Sequence, residues 1–156
     1  MAEQKQTLEA KLGTGLEGKR ILVVDDEPHI QRLVEVNLQK QGVYVDKAGD
    51  GVEAMEKIEA SYKGNNPYDS VVLDIMMPRM TGSEVLERLR ADPKTEELQV
   101  IMLTAKAQDK DIFEGWKSGA DLYLTKPFNP MELVTFLKRM LNPLPEGEGE
   151  EKVYEV

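Results

Sequence analysis

Apolar residues in this chain gather into short unbroken runs, and the stretches between them carry apolar residues at helical spacing. Ile21-Leu22-Val23-Val24, Val71-Val72-Leu73, Val100-Ile101-Met102-Leu103 and Leu122-Tyr123-Leu124 are four such runs. Runs of this length, bounded by polar or turn residues, predict strands buried on both faces. A shorter alternating stretch over residues 43–48 predicts one more strand. Ile30, Leu33, Val34 and Leu38 recur at helical spacing before Gly42, as do Val52, Met55, Ile58 and Tyr62 before a Gly-Asn-Asn-Pro loop. A third helix is expected over residues 83–91, with Gly82 or Ser83 near its cap and Asp92-Pro93 as its stop. A helix over residues 109–118 has only Ile112, Phe113 and Trp116 to hold it and is expected to be the least stable element. The last helix begins near Asn129-Pro130 and runs to Leu141. Its apolar residues cover more than one stripe, which suits either wide core packing or a partner surface. Five rounds of strand then helix predict an α/β fold, a parallel sheet with helices on both faces.

Composition narrows the setting. At 156 residues the chain is expected to form one domain, with 40% apolar and 31% charged residues, the profile of a soluble globular protein. A net charge of −9 argues against direct nucleic acid binding. Cysteine is absent, which excludes disulfides and thiolate chemistry. No apolar stretch approaches the ~18 residues of a membrane span, and no signal peptide is visible, so a cytoplasmic location is expected. Residues 1–18, with Gly13, Gly15 and Gly18, read as a flexible extension, residues 19–142 as the domain, and residues 143–156 as a disordered acidic tail.

Candidate chemistry falls at one place in this scheme. Asp25 and Asp26 follow the first strand, Asp74 the third, Thr104 the fourth and Lys126 the fifth. Open parallel sheets bind ligands outside the carboxyl ends of their strands. If the first and third strands are neighbours, three carboxylates meet there. At ~4 Å and an effective dielectric near 20, each like-charge pair costs on the order of 4 kcal/mol, so a compensating cation is expected. Mg²⁺ suits an all-oxygen site that also meets phosphate. Lys126 adds positive charge and Thr104 a hydroxyl donor, a setting in which Asp74 is a nucleophile towards phosphorus. Each residue alone has an ordinary reading: Asp74 as a turn cap, Asp25-Asp26-Glu27 as acids at a helix start, Lys126 as a loop lysine. Their coincidence at one edge is what points to chemistry. His29, the single histidine, reads as a solvated side chain, and Met76, Met77 and Met80 as turn packing.

Val23-Val24-Asp25-Asp26-Glu27, Leu73-Asp74-Ile75-Met76-Met77-Pro78-Arg79-Met80-Thr81-Gly82, Thr104-Ala105 and Gly119-Ala120-Asp121-Leu122-Tyr123-Leu124-Thr125-Lys126-Pro127-Phe128 resemble the receiver domain of bacterial two-component response regulators. The resemblance covers residues 19–141, with all its motifs in order. It implies a doubly wound, flavodoxin-like (βα)5 fold in three layers with strand order 2-1-3-4-5. It further implies that Asp74 accepts phosphate from a sensor histidine kinase or phosphotransfer protein. Mg²⁺ would be held by Asp25, Asp26, Asp74 and the backbone carbonyl of Met76. Thr104 and Lys126 would contact the phosphoryl group, Tyr123 would act as a rotating switch beside the weakly held helix, and Lys126–Pro127 would be a cis peptide. No enzyme activity beyond self-directed phosphoryl transfer and autodephosphorylation is expected. The downstream partner would be a protein effector, a phosphorylation-dependent homodimer being a further option, with no membrane contact. Leu122 stands where winged-helix receivers that dimerise carry a second acid, which counts against that dimer. Two rival readings remain. One is a receiver cut from a DNA-binding transcriptional regulator. The other is a haloacid dehalogenase-type phosphohydrolase, which needs an Asp where this chain has Met76.

Overall fold

The computed structural model describes residues 15–105 and 119–143. Strands β1 (Arg20–Val24), β2 (Tyr44–Ala48), β3 (Ser70–Asp74), β4 (Gln99–Thr104) and β5 (Leu122–Thr125) form one sheet in the order β2-β1-β3-β4-β5. Every pairing is parallel. Among the described residues the helices are α1 (Pro28–Gln39), α2 (Gly51–Lys63), α3 (Gly82–Ala91) and α4 (Pro130–Leu141). The helix expected over residues 109–118, with Trp116, lies outside the described residues, as do residues 1–14 and the tail from 144.

Period-two alternation explains why the apolar runs are unbroken. Leu22, Val24, Val71, Leu73, Val100 and Met102 face one layer with Ala54 and Ile58 of α2 and Val85, Leu86 and Leu89 of α3. Ile21, Val23, Val72, Ile101, Leu103 and Leu124 face the other, with Val34 and Leu38 of α1 and Leu133, Val134 and Leu137 of α4. Both faces of β1, β3 and β4 are thus dry, and each residue must be apolar whichever way it points. On α4, Phe136 and Met140 also pack against this second layer, so much of its broad apolar surface is core packing. Met131 alone among its large apolar residues is exposed.

Local signals set the helix ends. Pro28 opens α1, and Gly42, at φ 86°, lets the chain turn back into β2. Asp50 caps α2 by accepting from Glu53 N. Helix α3 begins one residue earlier than the sequence suggests. Its cap is Thr81, whose hydroxyl accepts from Glu84 N while the Glu84 carboxylate accepts from Thr81 N, a reciprocal capping box. The extension expected to be flexible through residue 18 is anchored at its described end. Leu16 is fully buried between α1 and α4, Gly18 N donates to Gly42 O at 2.9 Å, and Asn142 Nδ2 donates to Gly15 O. Leu16 joins the core of the second layer, a tertiary fact that the glycines around it conceal. No helix among the described residues is long and apolar enough to cross a membrane.

Candidate functional site

Strand register gathers the polar residues. Val24 lies opposite Leu73, so Asp25 and Asp74 are one step past paired residues on adjacent strands. Asp74 pairs with Leu103 and Thr104 with Thr125, which brings Thr104 and Lys126 to the same edge. Lys126 N donates to Thr104 O at 2.6 Å, tying those two strand ends together. The Lys126–Pro127 peptide is cis.

The side chains meet. Asp25, Asp26 and Asp74 each offer one oxygen within 4.8 Å of the others. Asp25 and Asp74 are buried while Asp26 is exposed, so the cluster opens to solvent on one side. Lys126 Nζ reaches Asp25 Oδ2 at 2.9 Å, Asp74 Oδ2 at 3.4 Å and Glu27 Oε1 at 3.4 Å. Burial first, and then the charge of Asp25, pushes the Asp74 carboxyl up to about 7 against the pull of Lys126. Burial also raises Asp25, opposed by the Glu27 N–H and by Lys126. For Lys126, burial works to release its proton, but the Asp25 and Asp74 carboxylates outweigh it and hold its affinity above the usual lysine range.

These residues fit a hard divalent cation. Asp25 Oδ2 is buried and accepts no hydrogen bond of good geometry, and Lys126 offsets it only as an ion pair. An all-oxygen cluster with an open side is the donor set that Mg²⁺ takes while keeping part of its water. Met76 lies in the loop beyond β3, two residues after Asp74, and is 52% exposed. Gly82 N donates to Ile75 O at 2.8 Å, closing that loop. A Cβ at Gly82 would fall on the Asp74 carbonyl, so only glycine permits this approach.

Thr104 is buried at the end of β4. Tyr123, on β5, is partly buried against the layer that holds α2 and α3, and burial raises its phenol. His29 is exposed, with Glu27 at 3.6 Å. Two supporting contacts escaped the sequence reading. Gln31 of α1 donates through Nε2 to the carbonyls of Asp25 at 2.7 Å and Ala48 at 3.0 Å, bracing the ends of β1 and β2. Glu27 orients Asp25 by donating its N–H to Oδ1 at 2.9 Å. Nothing in the spacing from Asp25 to Gln31 marks such a contact, because the carbonyls it meets lie on two strands.

An open parallel α/β sheet with three carboxylates and a lysine gathered at its carboxyl edge is an arrangement suited to a divalent cation and phosphate chemistry. The model of the response regulator receiver domain matches residues 21–138, and the chain belongs to that family. Domains of this kind are signalling modules of two-component systems, not enzymes in the ordinary sense. Among curated relatives, the DNA-binding dual master transcriptional regulator RpaA of Synechocystis sp. is 41% identical over 122 residues, 78% of this chain and 48% of the relative. The chain spans about half the length of the curated relatives it matches. Among solved structures, chemotaxis response regulator CheY4 of Vibrio cholerae is 34% identical with a TM-score of 0.67, covering 78% of this chain and 97% of that one. Response regulator TrrA of Thermotoga maritima, solved in complex with Mg²⁺-BeF, is 39% identical with a TM-score of 0.65, covering 78% and 98%.

Proposed function

We propose that Asp74 is the phosphoacceptor of this receiver and takes its phosphoryl group from a phosphohistidine of a sensor kinase or phosphotransfer protein. The observation that carries this reading is the buried Asp74 carboxylate, flanked by Asp25 and Asp26 and 3.4 Å from Lys126 Nζ. In the transfer an Asp74 oxygen attacks phosphorus, an O–P bond forms, and the P–N bond breaks with its electrons returning to the imidazole. When bound by the three carboxylates and the Met76 carbonyl, Mg²⁺ supplies charge neutralisation to the phosphoryl oxygens. Lys126 Nζ, 2.9 Å from Asp25 and 3.4 Å from Asp74, offers its charge to the arriving oxygens. Thr104 donates its hydroxyl from the next strand end. New charge there draws Thr104 inward, and Tyr123 follows as the outward signal.

The test is labelling with acetyl phosphate and Mg²⁺, read by intact mass. The wild-type chain should gain one phosphoryl group and the Asp74→Asn variant none. Equal labelling of the variant would overturn the assignment.

The name of the relative RpaA favours one reading of output, in which the phosphorylated receiver controls DNA binding by a longer regulator. The alternative is a receiver that acts through protein contacts alone. Sedimentation with and without beryllofluoride tests whether activation brings two receivers together. Sustained phosphate release from small phosphomonoesters would instead revive the phosphohydrolase reading.

A further inference from the structure

The loop that leaves β3 contains a residue in an unusual conformation. Arg79 has φ 67°, in the left-handed region that residues with a side chain seldom occupy. Its guanidinium is committed to one partner, with Nε and Nη2 2.9 and 2.7 Å from Asp50 Oδ2. Asp50 is itself fixed, because its Oδ1 accepts from Glu53 N at 2.9 Å as the cap of α2. Next to this pair, Met80 presses on the start of the same helix. A Cβ at Gly51 would meet the Met80 carbonyl and side chain. Residues 79 and 80 are thus fastened to α2, while Gly82 is fastened to the end of β3 through Ile75 O. Met76 lies on the span between the two fastenings.

We infer that Arg79 and Asp50 form a clasp that positions the backbone of the loop over residues 75–82, and with it the Met76 carbonyl, for the divalent cation held by the carboxylate cluster. The inference rests on the metal site put forward above. Both residues are positioning residues, since neither is among the clustered ligands. A role in global stability alone fits less well. The Arg79 side chain is 61% exposed, and ion pairs that open to water add little to folding. The left-handed torsion works against even that gain. What the pair does achieve is to select one backbone path.

Two variants separate positioning from plain electrostatics. Asp50→Asn keeps a capping side chain but loses the charge, and Arg79→Gly loses the guanidinium while relieving the torsion. Titration of the full chain with Mg²⁺ in a calorimeter, beside melting curves, gives affinity and stability together. If only long-range charge mattered, removing the acid would weaken Mg²⁺ and removing the base would tighten it. The clasp requires both variants to bind about threefold more weakly, a size in keeping with an exposed pair. The double variant should also lose about threefold rather than ninefold, as two partners in one interaction do. The deficit should close at about 1 M salt, where such pairs are screened. Opposite-signed effects, additive effects, or unchanged affinity in both variants would overturn the clasp. A wild-type chain that binds no Mg²⁺ would instead overturn the metal site beneath it.

Discussion

The two ends of the sheet both gather charged side chains and treat them in opposite ways. At the amino end, Asp46 Oδ2 accepts from the Tyr68 hydroxyl at 2.6 Å and from Arg20 Nη2 at 3.3 Å. Arg20 lies over the Tyr68 ring at 4.6 Å, its backbone N–H donates to Asp69 Oδ2 at 2.8 Å, and its Nη1 donates to the Asn66 carbonyl. Burial, and then Asp46, holds the Tyr68 phenol far above its usual range, so its proton stays where it is. At the carboxyl end the acids outnumber their compensation. Asp25 and Asp74 converge on Lys126, Asp26 lies within 4.8 Å of both acids, and Asp25 Oδ2 lacks a well-aligned donor. Charges that satisfy one another fix structure. Charges left in deficit wait for a ligand, and that imbalance marks the functional edge more clearly than the number of charges does.

The contrast can be broken by substitution at either end. The largest effect is expected at Asp74 in metal-free buffer. Its folded-state affinity for a proton exceeds that of the unfolded chain, so the folded state gains protons on this group between about pH 4 and 7. Stability from this group is therefore full below the unfolded value, is lost as pH rises, and reaches its minimum above about 7. Asp74→Asn should stabilise the chain by on the order of 3 kcal/mol at pH 8, and the gain should vanish towards pH 4. Urea melts across that range check it, and a destabilised variant at pH 8 would mean that the acid cluster is balanced after all.

The opposite sign is expected at the amino end. Asp46→Ala strands the buried Tyr68 hydroxyl and should cost about 2 kcal/mol, with Mg²⁺ affinity unchanged. A stabilised variant in the melt would equate the two ends. The smallest effect comes from the cation. At about ten times its dissociation constant, Mg²⁺ should add roughly 1.4 kcal/mol to the wild-type chain, and Asp25→Asn should remove most of that gain. Denaturant midpoints with and without Mg²⁺ read the difference.

The strands and the acid cluster were legible because they rest on local facts. A run such as Val71-Val72-Leu73 has to be buried on both faces, and a polar residue that ends it has to lie at the sheet edge. What was hidden depends on partners far along the chain. Gln31 looks like any polar helix residue until two strand ends meet beneath it. Arg20 and Tyr68 give no sign of their stacking, since it forms only once β1 and the approach to β3 lie side by side. Arg79 gives no sign of its left-handed torsion, and its partner Asp50 and the contact of Met80 with Gly51 come together only in the fold. Thr81 was missed as a cap for a simpler reason: Gly82 and Ser83 were both acceptable start residues, and only the reciprocal bond with Glu84 decides.

Leu16 bears on where this domain should be cut. The family match begins at residue 21 and the first strand at Arg20, and either would be a natural place to trim the chain. Trimming there would pull a fully buried leucine from between α1 and α4 and take with it the Gly18 bond to Gly42. The foot of the sheet would then be an apolar hollow open to water. Among the described residues the packed core thus reaches back to a side chain that belongs to no strand or helix, several residues before the recognisable domain starts.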